Sequence, residues 1–139
     1  MSHDLDFVTS ADSKSLLKAI TPLGFAQGSA KRLYEHPRTE CLVEFPVGPL
    51  GFGERIVDQR SIDLLQTEYG ALRVITPTLC VIDRLAAYHH WNDRQCWDQA
   101  VLVCRSHPVD WDDIGQWARN EGLEAEEIDR LQAMVSSPA

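Results

Sequence analysis

At Thr76-Pro77 the spacing of apolar residues changes period, and this change limits the fold more than any other feature of the chain. Ahead of it, short runs such as Asp4-Leu5-Asp6-Phe7 and Cys41–Phe45 (CLVEF) alternate or are rich in β-branched and aromatic residues, as strands are. Behind it, Leu79, Ile82, Leu85, Ala86 and His89 recur at helical spacing. Threonine directly before proline is a helix N-cap followed by a first helical residue whose missing N–H costs nothing. Strands collected ahead of helices predict an α+β fold: a small mixed sheet over residues 1–76, followed by a helical bundle over 77–139.

The punctuation agrees. Leu16, Leu17 and Ile20 form the face of a short helix stopped near Pro22 and Gly24, and residues 24–38 hold a strand and a loop. Pro46, Gly48, Pro49, Gly51 and Gly53 exclude a regular element and mark a long turn. Residues 56–69 hold a strand or two around a polar turn, and Ala71–Ile75 (ALRVI) is a final strand. Beyond the first bundle helix, a stripe of Cys96, Trp97, Ala100, Val101 and Cys104 predicts a second helix over about 93–105. Asp110 caps a third with Ile114, Trp117 and Ala118 inward and Gly122 as its stop, and Ile128, Leu131 and Val135 mark a fourth.

Composition sets the class. At 139 residues the chain suits one domain, or a sheet with a helical appendage, and can bury a core without staples. Its net charge is −8, of which −2 falls on residues 1–77 and −6 on 78–139, so long-range attraction to nucleic acid is disfavoured, most of all for the helical part. No run approaches a membrane span, and MSHDLDFVTS has acids where a secretion signal has a basic start and an apolar run. A cytoplasmic protein is expected. Cys41, Cys80, Cys96 and Cys104 lack zinc-knuckle spacing and are expected as reduced, packed thiols.

Three carboxylates draw attention. Asp4 and Asp6 stand two apart on a strand, so both leave the same side of the sheet. Two like charges so placed are costly unless solvated, hydrogen-bonded or bridged by a cation. Glu44 is a charge among the apolar residues of CLVEF, on the face opposite Val43 and Phe45. If the two strands are neighbours, three acids converge on one patch, a donor set suited to a hard ion such as Mg²⁺ or Mn²⁺ and to metal-assisted nucleotidyl transfer.

The motifs around these acids resemble those of the nucleotidyltransferase superfamily, in particular the bacterial AbiEii-like toxin group. SHDLDFVTS is similar to its S-x-D-(I/L)-D-F strand, and ECLVEFPVGPLGFG to the later strand that supplies a third carboxylate. ITPTLCVIDRLAAYHHWNDRQCWDQAVLV resembles the helices that follow the sheet in that group, and together these motifs cover most of residues 2–105. The resemblance implies that Asp4 and Asp6 bind the metal, and that Glu44 holds the second metal or activates the acceptor hydroxyl. It implies that Asp83, Arg84, Arg94 and Asp98 face the nucleoside triphosphate, arginine being the natural phosphate partner. The acceptor stays open: protein, RNA or small molecule.

One departure accompanies the likeness. The family carries a Gly-Gly or Gly-Ser turn ahead of the paired aspartates, whose backbone holds the triphosphate, and only three residues precede Asp4 here. Gly28-Ser29 comes after the aspartates and does not substitute. The alternative expectation is therefore an inactive module of this fold in a toxin–antitoxin or regulatory pair, whose open sheet edge favours a homo-oligomer. Other motifs read as structural: Lys31-Arg32 as a solvated loop, His89-His90 as a helix end, the tryptophans Trp91, Trp97, Trp111 and Trp117 as core and inter-helix packing, and Glu121, Glu124, Glu126 and Glu127 as a solvated helix start.

Overall fold

In the computed structural model, which describes residues 4–137, the fold is α+β. Strand β1 (Asp4–Asp6) lies parallel to β4 (Thr39–Glu44), and helix α1 (Ser13–Ile20) belongs to the crossover that parallel pairing requires. Strands β2 (Ala26–Gln27) and β3 (Leu33–His36) add antiparallel neighbours, giving a mixed sheet in the order β1-β4-β3-β2.

Helix α1 starts where the Asp12 carboxylate accepts the Ser15 N–H at 2.8 Å. That bond to the backbone, with a second to the Ser15 hydroxyl, holds the Asp12 carboxyl below its usual range. Leu16 and Ile20, one turn apart, are its buried stripe, and Pro22 and Gly24 (φ 91°) end the segment. Period-two alternation turns Tyr34 and Val43, which are register partners, toward the same core. Tyr34 is 1% exposed, and Phe7, Phe25 and Phe45 pack around this cluster. Each fully buried aliphatic side chain there contributes about 1.5–3 kcal/mol.

The later residues form two hairpins, β5 (Gly51–Phe52) with β6 (Arg55–Ile56) and β7 (Leu64–Thr67) with β8 (Gly70–Arg73). Four helices follow: α2 (Pro77–Trp91), α3 (Arg94–Ser106), α4 (Trp111–Glu121) and α5 (Ala125–Ser136). Thr76 Oγ1 accepts the Leu79 N–H at 3.2 Å, as the Thr-Pro signal predicts. Asp110 accepts both the Asp112 and Asp113 N–H groups, and Gly122 (φ 81°) stops α4. Helix α2 packs on α3 and α4, and α5 packs on α3 and α4, around fully buried Val81, Ile82, Leu85, Ile114 and Leu131.

Backbone contacts divide the chain into two compact units, Met1–Leu50 and Gly51–Ala139. The change from strand to helix falls later, at Thr76/Pro77. The ALRVI strand does not join the four-stranded sheet: β8 pairs with β7 across a tight turn, where local closure loses the least chain entropy. Trp91 also departs from the packing expectation. It ends α2 and is 77% exposed, whereas Trp97 and Trp117 are buried. No helix among the described residues is long and apolar enough to cross a membrane.

All four cysteines are free thiols, with Cys96 and Cys104 buried. Burial, reinforced by the neighbouring Cys80, pushes the Cys104 thiol up to about 11. The unfolded chain gives up this proton first, so the thiol's contribution to stability fades as pH rises from the ordinary thiol range toward 11. At pH 8 iodoacetamide should alkylate Cys104 at least about a hundredfold more slowly in the native protein than in urea. Peptide mass spectrometry checks this, and equal rates would show the site to be open.

Candidate functional site

The candidate site is built on the parallel pair. Asp4 stands opposite Leu42, Leu5 opposite Val43, and Asp6 opposite Glu44. Register partners in a sheet project to the same face, so Asp4, Asp6 and Glu44 share the face turned away from Val43 and the α1 core. All three are exposed. Neighbouring strands lie about 4.8 Å apart, which makes Asp6 and Glu44 direct cross-strand neighbours. Leu33 of β3 stands on the other side of Glu44. The pairing runs on past the acids, with the Phe7 N–H donating to the Glu44 carbonyl at 2.8 Å and a further parallel bridge between Thr9 and Val47.

The backbone therefore brings the three sequence-predicted acids to one surface. Their oxygens are the donor type a hard divalent ion prefers. Among the described residues, no three His, Cys, Asp or Glu side chains gather into a cluster that could hold a metal ion. The three acids carry the donor chemistry of a hard-cation site but, as placed, do not form one.

Asp83, Arg84, Arg94 and Asp98 belong to the second unit. Arg84 Nε donates to Asp83 Oδ2 at 3.0 Å, Nη2 pairs with the same oxygen, and Nη1 donates to Gln99 Oε1 of α3 at 3.1 Å. Burial pulls the Arg84 guanidinium down, and the hydrogen bond and charge of Asp83 more than reverse it. Arg84 thus ties α2 to α3. Arg94 and Asp98 stand one turn apart on α3, and both are exposed.

Three features escape sequence reasoning. Arg32 is no solvated loop residue: its guanidinium donates to the carbonyls of Phe45, Ala11 and Thr9. Glu121 is no solvated helix acid: its side chain is 3% exposed, accepts the Glu54 N–H at 2.5 Å and lies 3.1 Å from His90 Nε2. Gly53 (φ 62°) makes that contact possible, because a Cβ in this hairpin turn would collide with the Glu121 carboxylate. Third, a cleft of about 720 Å³ lies in the second unit, lined by Glu54, Arg55, Asp113, Gln116 and Asn120 over Trp117. The Arg55–Asp113 ion pair, at 2.8 Å, spans hairpin and α4. A glycine followed by an acid hints at a turn, but nothing local announces the distant carboxylate that covers it.

Comparison of the chain with family models, with curated proteins and with solved structures yields no match.

Proposed function

We propose that the chain is a metal-dependent nucleotidyltransferase that moves a nucleotidyl group from a nucleoside triphosphate to a hydroxyl acceptor. The observation that supports this most is the register of Asp6 against Glu44, with Asp4 on the same face. Asp4 and Asp6 hold Mg²⁺ or Mn²⁺, and Glu44 completes the donor set. The cation, when bound, neutralises charge on the triphosphate. Glu44 also receives the proton of the acceptor hydroxyl as its oxygen bonds to the α-phosphorus and pyrophosphate leaves. In the helical unit Arg84, bonded to Asp83 and Gln99, ties α2 to α3.

Isothermal calorimetry with ATP, CTP, GTP and UTP in Mg²⁺ tests the reading. At least one triphosphate should bind only with the cation, and Asp6→Asn should abolish that binding. No binding by any of the four, with Mg²⁺ or Mn²⁺, overturns it.

A second reading has its own support: an inactive module that works by association, in a toxin–antitoxin or regulatory pair. β1 ends the sheet order, and Leu5 on it is 52% exposed. An edge with exposed apolar surface favours self-association. A dimer that persists on dilution, with stability indifferent to Mg²⁺, would favour this reading over catalysis.

A further inference from the structure

The cleft between the β5–β6 hairpin and α4 has no part in the acidic face of the sheet. Asp113, Gln116, Trp117 and Asn120 recur at helical spacing, so one face of α4 supplies one side of it, and Glu54, Arg55 and Ile56 supply the other. Three contacts hold the hairpin in place: Trp117 Nε1–H on the Phe52 carbonyl, Arg55 on Asp113, and the Glu54 N–H on the Glu121 carboxylate. The cleft is therefore built into the fold, and its volume of about 720 Å³ falls in the range of small-molecule sites.

Some of its polar groups are already committed. Arg55 is engaged by Asp113, and Glu121 by the Glu54 N–H and His90. Among the described residues, no hydrogen bond engages the side chains of Glu54, Gln116 and Asn120. They offer a carboxylate and two amide oxygens to a donor. Ile56 beside them is exposed, an apolar side chain in a polar cleft.

Charge decides the sign of the ligand. The lining carries three acids against one base, and the second unit as a whole fifteen against eight, a field that draws in cations. A metal ion fits poorly, because among the described residues no three His, Cys, Asp or Glu side chains gather to hold one. Acceptors spread along a cleft suit positive charges spread along a chain. The methylenes between those charges would cover Ile56, as the stems of lysine side chains cover apolar surface.

We propose that this cleft binds a linear polyamine, an aliphatic chain with an ammonium group at each end. Glu54 takes one ammonium, and the amide oxygens of Gln116 and Asn120 take another. The site lies wholly within the second unit and does not depend on the proposed nucleotidyl transfer.

Spermidine titration at low salt, followed by the amide NMR shifts of the whole protein, provides the test. Saturable shifts should centre on residues 54–56 and 113–120. Putrescine should bind more tightly than butylamine, which has the same carbon chain and a single charge. Glu54→Gln should weaken spermidine binding about twofold to fivefold, the effect of one exposed charge. Gln116→Lys should weaken it about tenfold or more, because it sets a like charge inside the cleft. Gln116 is exposed on α4 and lysine is a good helix former, so this variant keeps the fold. Glu68→Gln, which makes the same change of charge in the β7–β8 turn, should keep the wild-type affinity. Absence of saturable shifts in the cleft, equal shifts there from Mg²⁺, or butylamine binding as tightly as putrescine overturns the proposal. So does wild-type affinity in Gln116→Lys, or a loss in Glu68→Gln equal to that in Glu54→Gln.

Discussion

On the proposed function Mg²⁺ should raise the melting temperature of the wild type, and Glu44→Gln is expected to abolish that rise while leaving the metal-free protein at least as stable. Two facts set the signs. Glu44 is exposed and stands directly opposite Asp6, and like charges in cross-strand register disfavour the pairing. Glutamine keeps the length and shape of the side chain, so neutralisation removes repulsion and no packing. A cation bound to the folded state alone stabilises it by about 2.7 kcal/mol at a hundred times its dissociation constant, and an amide oxygen replaces a carboxylate poorly as a ligand for a hard ion.

The experiment is a pair of thermal melts, with and without excess Mg²⁺, for wild type and variant. A purely structural carboxylate would give the opposite pattern: lower metal-free stability and no metal response to lose. A wild-type melt indifferent to Mg²⁺ and Mn²⁺, or a variant that responds as the wild type does, would defeat the expectation. The comparison asks what the negative charge is for.

What the sequence revealed about this protein follows the range of the forces involved. The change of period at Thr76-Pro77, the Thr76 and Asp110 caps and the Gly122 stop depend on residues within one turn, and the structure has each in place. The two-residue period also places Glu44 on the face opposite Val43. It does not say which strand lies beside β4; that follows from the α1 crossover and the packing of Tyr34 and Val43 on Leu16 and Ile20. Arg32 and Glu121 were hidden for the same reason. Both find their partners far along the chain, at Phe45, Ala11 and Thr9 in one case, and at Glu54 and His90 in the other. Charge alone marks such residues as solvated, and tertiary structure overrides it. Trp91 errs in the other direction, an aromatic residue at a helix end that packing leaves in water.

The largest stability effect is expected at Trp117, where one side chain serves as core filler and as hydrogen-bond donor. It is 2% exposed on α4, and its Nε1–H donates at 3.1 Å to the carbonyl of Phe52 in β5. Trp117→Ala should cost about 3–5 kcal/mol through the cavity it opens, and the stranded Phe52 carbonyl adds to this unless water reaches it. For a unit of this size that is a fall in melting temperature of roughly 10–40 °C. Trp117→Phe keeps most of the apolar volume and deletes the donor, so it separates the two contributions and should cost about 1–3 kcal/mol. The β5–β6 hairpin is held at a second point, where the Glu54 N–H meets the Glu121 carboxylate. Trp117→Phe should therefore speed amide exchange in β5 and β6 less than Trp117→Phe combined with Glu121→Gln. A melting temperature for Trp117→Ala within a few degrees of the wild type would mean that the hairpin and α4 do not depend on this contact.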